Sequence, residues 1–188
     1  MAQDAGIPHI NVDLIAGLTG ESAESFASSV DRIIGLSPDN ITVHTFSVKK
    51  AAEIRQENAT VYDAEGITAA RSVDYAGSAL VGAGYAPYYM YRQKNTVGNL
   101  ENVGYARPGT EGLYNVYMME EVHSIFAAGA SAVTKFVSPI EKDGSCRIER
   151  IFEAKYPYEY LEAYSDDTAQ ARIRAYRDFA SRFYKENF

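Results

Sequence analysis

The sequence predicts an α/β fold: a parallel βαβ unit at the amino end, then an α+β extension with a hairpin and a terminal helix. Three observations carry this. Ile10 to Ala16 is an apolar run too short for an amphipathic helix, and it reads as a strand buried on both faces, as parallel sheets require. A helical repeat and then the β-branched run "ITVHTF", Ile41 to Phe46, follow at the spacing of a right-handed crossover. Near the other end, "EKDGS" places an Asp-Gly pair at Asp143 and Gly144 between two apolar segments, a strong short-range hairpin signal.

The elements follow in order. After the first strand, "GLTG" is a turn, with Gly17 and Gly20 available for positive φ. Ser22 opens a helix in which Phe26, Val30, Ile33 and Ile34 recur on one face, and Pro38 in "GLSPDN" ends it. Beyond the second strand, Val48 to Tyr62 is polar and reads as a loop or short helix. Thr68 to Val81 carries Ala69, Val73, Ala76 and Leu80 at helical spacing, and "GAGYAP" breaks it. Tyr88 to Tyr91 reads as a strand, and "RQKNTVGNLENVGYARPG" as a loop. Met118, Val122, Ile125 and Phe126 predict a helix over Asn115 to Ala128, closed by Gly129. "GASAVTKFVS" and "CRIERIF" are the two arms of the hairpin. Past Pro157 the chain turns helical, and Ala169 to Phe183 places Ile173, Tyr176, Ala180 and Phe183 on one face.

Composition narrows the function classes. A chain of 188 residues is enough for one ordinary domain or a large part of a bigger one. The net charge of −7 argues against a nucleic-acid surface, which needs clustered Lys and Arg. No apolar stretch approaches the roughly 20 residues of a membrane span, and "MAQDAGIPHI" lacks the pattern of a secretory signal. The single cysteine, Cys146, permits no internal disulfide, which fits the cytoplasm. The glycosylation triplet at Asn58 therefore reads as chance. Fifteen tyrosines and no tryptophan favour half-buried, amphipathic surfaces.

One residue breaks the pattern of the first strand: Asp13, a carboxylate inside an apolar run, where burial without a partner costs several kcal/mol. Two parallel strands and one helix also cannot cover their own apolar faces. Either a small α/β domain completes its sheet with the hairpin, or the unit belongs to a larger barrel. "INVDLIAGLTGES" with the following "PDNITVHTFSVK", Ile10 to Lys49, resembles the later strands of radical S-adenosylmethionine enzymes of the oxygen-independent coproporphyrinogen III oxidase type. Asp13, Gly17, Leu18, Gly20, Pro38 and Asp39 match that pattern; Thr19 stands where the family usually has proline. "APYYMYRQKNTVGNLENVGYA", "YNVYMMEEVHSIFAAGASAVTKF" and "KYPYEYL" resemble the coproporphyrinogen dehydrogenase subgroup, so the likeness runs from about Asp4 to Leu161.

The resemblance implies the C-terminal part of a partial (β/α) barrel, with residues 1–66 as its last βα units and 67–188 as a family-specific region. It implies S-adenosylmethionine and a 4Fe–4S cluster as cofactors, coproporphyrinogen III as substrate, and oxidative decarboxylation of propionates to vinyls giving protoporphyrinogen IX. The matching aspartate, Asp13, would contribute to the S-adenosylmethionine site, and Ser47 falls where the family contacts the adenine. The family's CxxxCxxC cluster motif is missing; one cysteine cannot replace three thiolates. Cys146 reads as structural, no metal ligand is assigned, and the chain is expected to be inactive alone, with no catalytic residue of its own.

For the substrate, Tyr89 and Tyr91 offer flat aromatic faces, and Arg92, Lys94 and Asn95 offer partners for propionates. The same stretch also reads as a Tyr-rich strand leading into a surface loop. "GLTGES" lacks the Lys-Ser/Thr of a phosphate loop. His44 reads as a satisfied core histidine, and His9 and His123 have no partner at metal spacing. Two other functions stay open: a haem-binding, chaperone-like relative, and a non-catalytic α/β interaction domain.

Overall fold

The computed structural model describes residues 2–47, 66–165 and 168–187. The expected loop or short helix over Val48 to Tyr62, and Asn58 with it, lie outside the described residues. The chain divides into two compact units, Met1–Val116 and Tyr117–Phe188.

In the first unit, β1 (Asn11–Ala16), α1 (Ala23–Leu36) and β2 (Asn40–Thr45) form the expected βαβ unit. The strands pair in parallel, with Asp13 opposite Thr42 and Leu14 opposite Val43. Ser22 caps α1, its Oγ accepting from the Ser25 amide at 3.1 Å, as its position before the apolar repeat predicts. Ser37 closes the helix in the left-handed region at φ 51°, just before Pro38. The turn after β1 places Gly17 at φ 84°, where an added Cβ would also sit 2.9 Å from that of Ala69. Ala69 lies on α2 (Ile67–Gly82), which packs beside α1 on one face of the sheet. Phe26, Val30, Ile41, Val43, Ala76, Leu80 and Tyr105 make the core between helices and strands.

Two expectations are corrected here. The stretch read as a loop contains β4 (Asn102–Ala106), which lies antiparallel between β2 and β3 (Ala86–Tyr91), so the order is β1-β2-β4-β3. Asn and Gly disguise it, yet Asn102 is fully buried and its Oδ1 accepts from the Thr45 amide at 2.6 Å. β1, for its part, is not buried on both faces. Its residues alternate, with Val12, Leu14 and Ala16 the more covered; Ile15 is 43 % exposed and the Asp13 side chain 57 % exposed. Among the described residues β1 pairs only with β2, and α1 and α2 cover one face of the sheet alone.

The second unit holds the hairpin strands β5 (Val133–Val137) and β6 (Ile148–Phe152), a sheet of their own. The arms are antiparallel as expected, but the connection is longer than a two-residue turn. Asp143 instead folds it locally, its Oδ1 accepting from the Ser145 amide at 2.9 Å. Phe136 is fully buried, with the rings of Phe126, Tyr176, Phe179 and Phe183 centred 5.4 to 6.3 Å away. The last three belong to α5 (Ala169–Asn187), which α4 (Pro157–Ala163) precedes. Ile173, expected on that inner face, is exposed.

The helix expected over Asn115 to Ala128 stops early: α3 spans Leu113–Glu120. Glu121 takes φ 52°, which no helix continues, and Ile125 is held by the sheet. Its amide donates to the Lys135 carbonyl at 2.8 Å, and the Lys135 amide returns a bond of 2.9 Å. Backbone pairing to β5 overrides the apolar periodicity there.

Candidate functional site

The sheet of the first unit has one face under α1 and α2, and among the described residues no helix of that unit packs on the other. Period two puts Val43 and Tyr105 toward the helices, and Asn11, Asp13, Thr42, His44 and Gly104 on the opposite face. β3 adds Tyr89 and Tyr91 to that polar face.

Contacts there run from strand to strand. Asp13 Oδ2 lies 3.7 Å from His44 Nε2, and His44 Nδ1 lies 3.4 Å from the Tyr91 hydroxyl. Asn11 Nδ2 donates to Asp13 Oδ1 at 2.7 Å, Thr42 Oγ1 to Asn11 Oδ1 at 3.3 Å, and the Tyr89 hydroxyl to Thr42 Oγ1 at 3.4 Å. The rings of Tyr89 and Tyr91 are stacked, 6.2 Å apart and 7° from parallel. Tyr89 can lie flat because β4 carries glycine beneath it: a Cβ on Gly104 would fall 1.9 Å from Tyr89 Cε1. Burial is the main cause that raises the Tyr89 phenol above its ordinary value, so it remains a donor where a solvated phenol would begin to ionise.

At the carboxyl ends of the parallel strands the loops converge, the place where α/β folds carry ligands. β3 runs in the direction of β2, since both oppose β4, so Tyr91 and the residues after it reach the same end as Thr45. Ser47 donates from Oγ to the Lys94 carbonyl at 2.9 Å and bridges to Thr96. Arg92 Nη2 pairs with Glu101 Oε1 at 2.8 Å; Lys94 and Asn95 are exposed, and Asn95 takes φ 62°. Asp13, Tyr89 and Tyr91 therefore share one face, while Ser47, Arg92, Lys94 and Asn95 lie along the rim beyond it.

His44 is the residue that sequence reasoning missed. Instead of lying in the core it is 27 % exposed and stands between Asp13 and Tyr91. The signal was available: Thr42 and His44 alternate with Ile41 and Val43, marking a polar face at period two.

A separate groove of about 640 Å³ lies at the amino ends of β1 and β2, lined by His9, Asn40, Tyr88 and Glu111 among others. Among the described residues no three His, Cys, Asp or Glu side chains are placed to hold a metal ion. No helix among them is long and apolar enough to cross a membrane.

No family model matches the chain. An α/β unit with a polar, aromatic sheet face nevertheless stands beside the earlier resemblance, and the likeness to oxygen-independent coproporphyrinogen III oxidase-like proteins holds. Over 168 residues, 89% of its length, the chain is 38% identical to the oxygen-independent coproporphyrinogen-III oxidase-like protein HemZ of Bacillus subtilis (strain 168). Among solved structures it is similar to coproporphyrinogen III oxidase (HemN) from Escherichia coli, described as a radical SAM enzyme. That match has a TM-score of 0.58 and 18% identity over 88% of this chain, and it shows the α/β fold. The chain spans 33% of the first relative and 36% of the second, about a third of each.

Proposed function

We propose that this chain forms one wall of the active site of a radical S-adenosylmethionine oxidoreductase that converts coproporphyrinogen III to protoporphyrinogen IX in the cytoplasm. Residues 1–66 would be the last βα units of its barrel and 67–188 the family-specific region. The observation that carries the reading is the polar sheet face, where a carboxylate, an imidazole and two stacked phenols meet at mid-strand, just short of the rim at the carboxyl ends of the parallel strands. The 38% identity to a coproporphyrinogen oxidase-like protein supports the substrate class.

The residues present fit S-adenosylmethionine. Asp13 is more than half exposed and keeps lone pairs free of its bond to Asn11, so it can accept from ribose hydroxyls or the adenine amine. On the rim beyond it, Ser47 holds the Lys94 carbonyl in place, fixing the backbone where the adenine would lie. S-adenosylmethionine, when bound, supplies the oxidising radical chemistry; the chain binds, orients and shields. The residues do not fit a 4Fe–4S cluster, because the chain holds a single cysteine, Cys146, and the cluster needs three thiolates. With one cysteine, these 188 residues would not carry out the reaction by themselves.

The porphyrinogen lies against Tyr89 and Tyr91, with Arg92, Lys94 and Asn95 along the rim to receive propionates. Arg92 must exchange Glu101 for a propionate, a like-for-like swap of carboxylates. Replacing Arg92 and Lys94 with alanine in the reconstituted holoenzyme should raise KM for coproporphyrinogen about tenfold, the worth of a hydrogen bond to a charged group. Unchanged turnover and KM would remove both residues from the site.

A further inference from the structure

Six side chains cross the polar face in two lines, and both lines end on Asp13. A carboxylate accepts hydrogen bonds and donates none. Asn11 therefore turns its amide nitrogen to Asp13 Oδ1, at 2.7 Å, and its carbonyl to Thr42. Thr42 spends its only proton on that carbonyl, so its oxygen is left to accept from the Tyr89 hydroxyl. In the second line, Asp13 Oδ2 faces His44 Nε2 and favours the proton there. The neutral imidazole then keeps its lone pair on Nδ1, which accepts from the Tyr91 hydroxyl.

Both phenols thus give their single proton inward, and all that each oxygen has left to offer is acceptance. We propose that Asp13 sets the proton order of this face, so that stacked Tyr89 and Tyr91 present paired acceptors and receive the pyrrole N–H groups of a porphyrinogen. The ligand is taken from the function proposed above; the proton order is independent of it. The tetrahedral bridges of a porphyrinogen let its pyrrole rings tilt and turn their N–H groups to one face. An oxidised porphyrin keeps only two of the four N–H groups and holds them in the ring plane, where a flat phenol pair cannot reach them. The adenine amine of S-adenosylmethionine is the other source of N–H donors at this site.

The 188-residue chain, labelled with nitrogen-15, tests the proton order first. With its imidazole neutral, His44 should carry its proton on Nε2, and Asp13→Asn should move the balance toward Nδ1. A proton already on Nδ1 in the unaltered chain would overturn the proposal. Anaerobic calorimetry then tests the ligand. The chain should bind coproporphyrinogen III more tightly than coproporphyrin III. The double variant Tyr89→Phe, Tyr91→Phe should weaken porphyrinogen binding about tenfold and leave porphyrin binding unchanged. If the double variant loses S-adenosylmethionine affinity and keeps its porphyrinogen affinity, the pyrrole assignment is wrong. If neither tetrapyrrole binds the unaltered chain, the pyrrole assignment falls; the holoenzyme KM still tests the proposed function, and the His44 spectrum still decides the proton order.

Discussion

Gly104 shows how one missing methyl group shapes the site. Strand interiors disfavour glycine, which loses more backbone entropy and packs nothing. Its presence in β4 is explained by the Tyr89 ring, which occupies the volume a Cβ would need. An alanine there meets aromatic carbons of a half-buried ring and not the free end of a flexible chain. Gly104→Ala is therefore expected to cost about 1–3 kcal/mol, the usual range for overpacking, and to push Tyr89 off its stack with Tyr91. Urea denaturation should show a lower midpoint with an unchanged slope. A midpoint equal to that of the unaltered chain would mean the ring is not seated on the strand.

At the scale of elements, α1 depends on its cap. Ser22 Oγ satisfies the Ser25 amide, one of the donors that a helix start leaves unpaired. Ser22→Ala should cost about 1 kcal/mol, read as a shift of the thermal midpoint, and Ser22→Asp should restore it. This cap, the core face of α1 and the parallel pair β1–β2 were all legible in the sequence, because each is local: a polar residue before a periodic run, or an apolar run between turns. β4 was not. Its Asn102 and Gly104 are chosen by partners in β2 and β3 far along the chain, and no local pattern reports that. The end of α3 failed for the same reason, since the pairing of Ile125 with Lys135 is tertiary. In the site, Asp13 was conspicuous as a charge in an apolar strand. His44 was hidden, because a histidine among β-branched residues looks like core until the register places Asp13 and Tyr91 beside it.

On the scale of the whole molecule, the sheet has an unequal pair of edges. Among the described residues β1 has a neighbour on one side only, so its other side offers free N–H and C=O groups to another strand. Ile15 lies 43 % exposed on that strand, adding an apolar contact to the open ladder. Such an edge is a template for pairing, and the net charge of −7 is too diffuse to guard one strand. The chain is expected to self-associate with rising concentration in sedimentation equilibrium. Ile15→Lys should suppress that association by placing a charge on the pairing edge. The substitution also brings the net charge closer to zero, which by itself favours association, so a loss of association would point to the edge and not to overall charge. A chain that stays monomeric across the concentration range would show that the β1 edge does not pair.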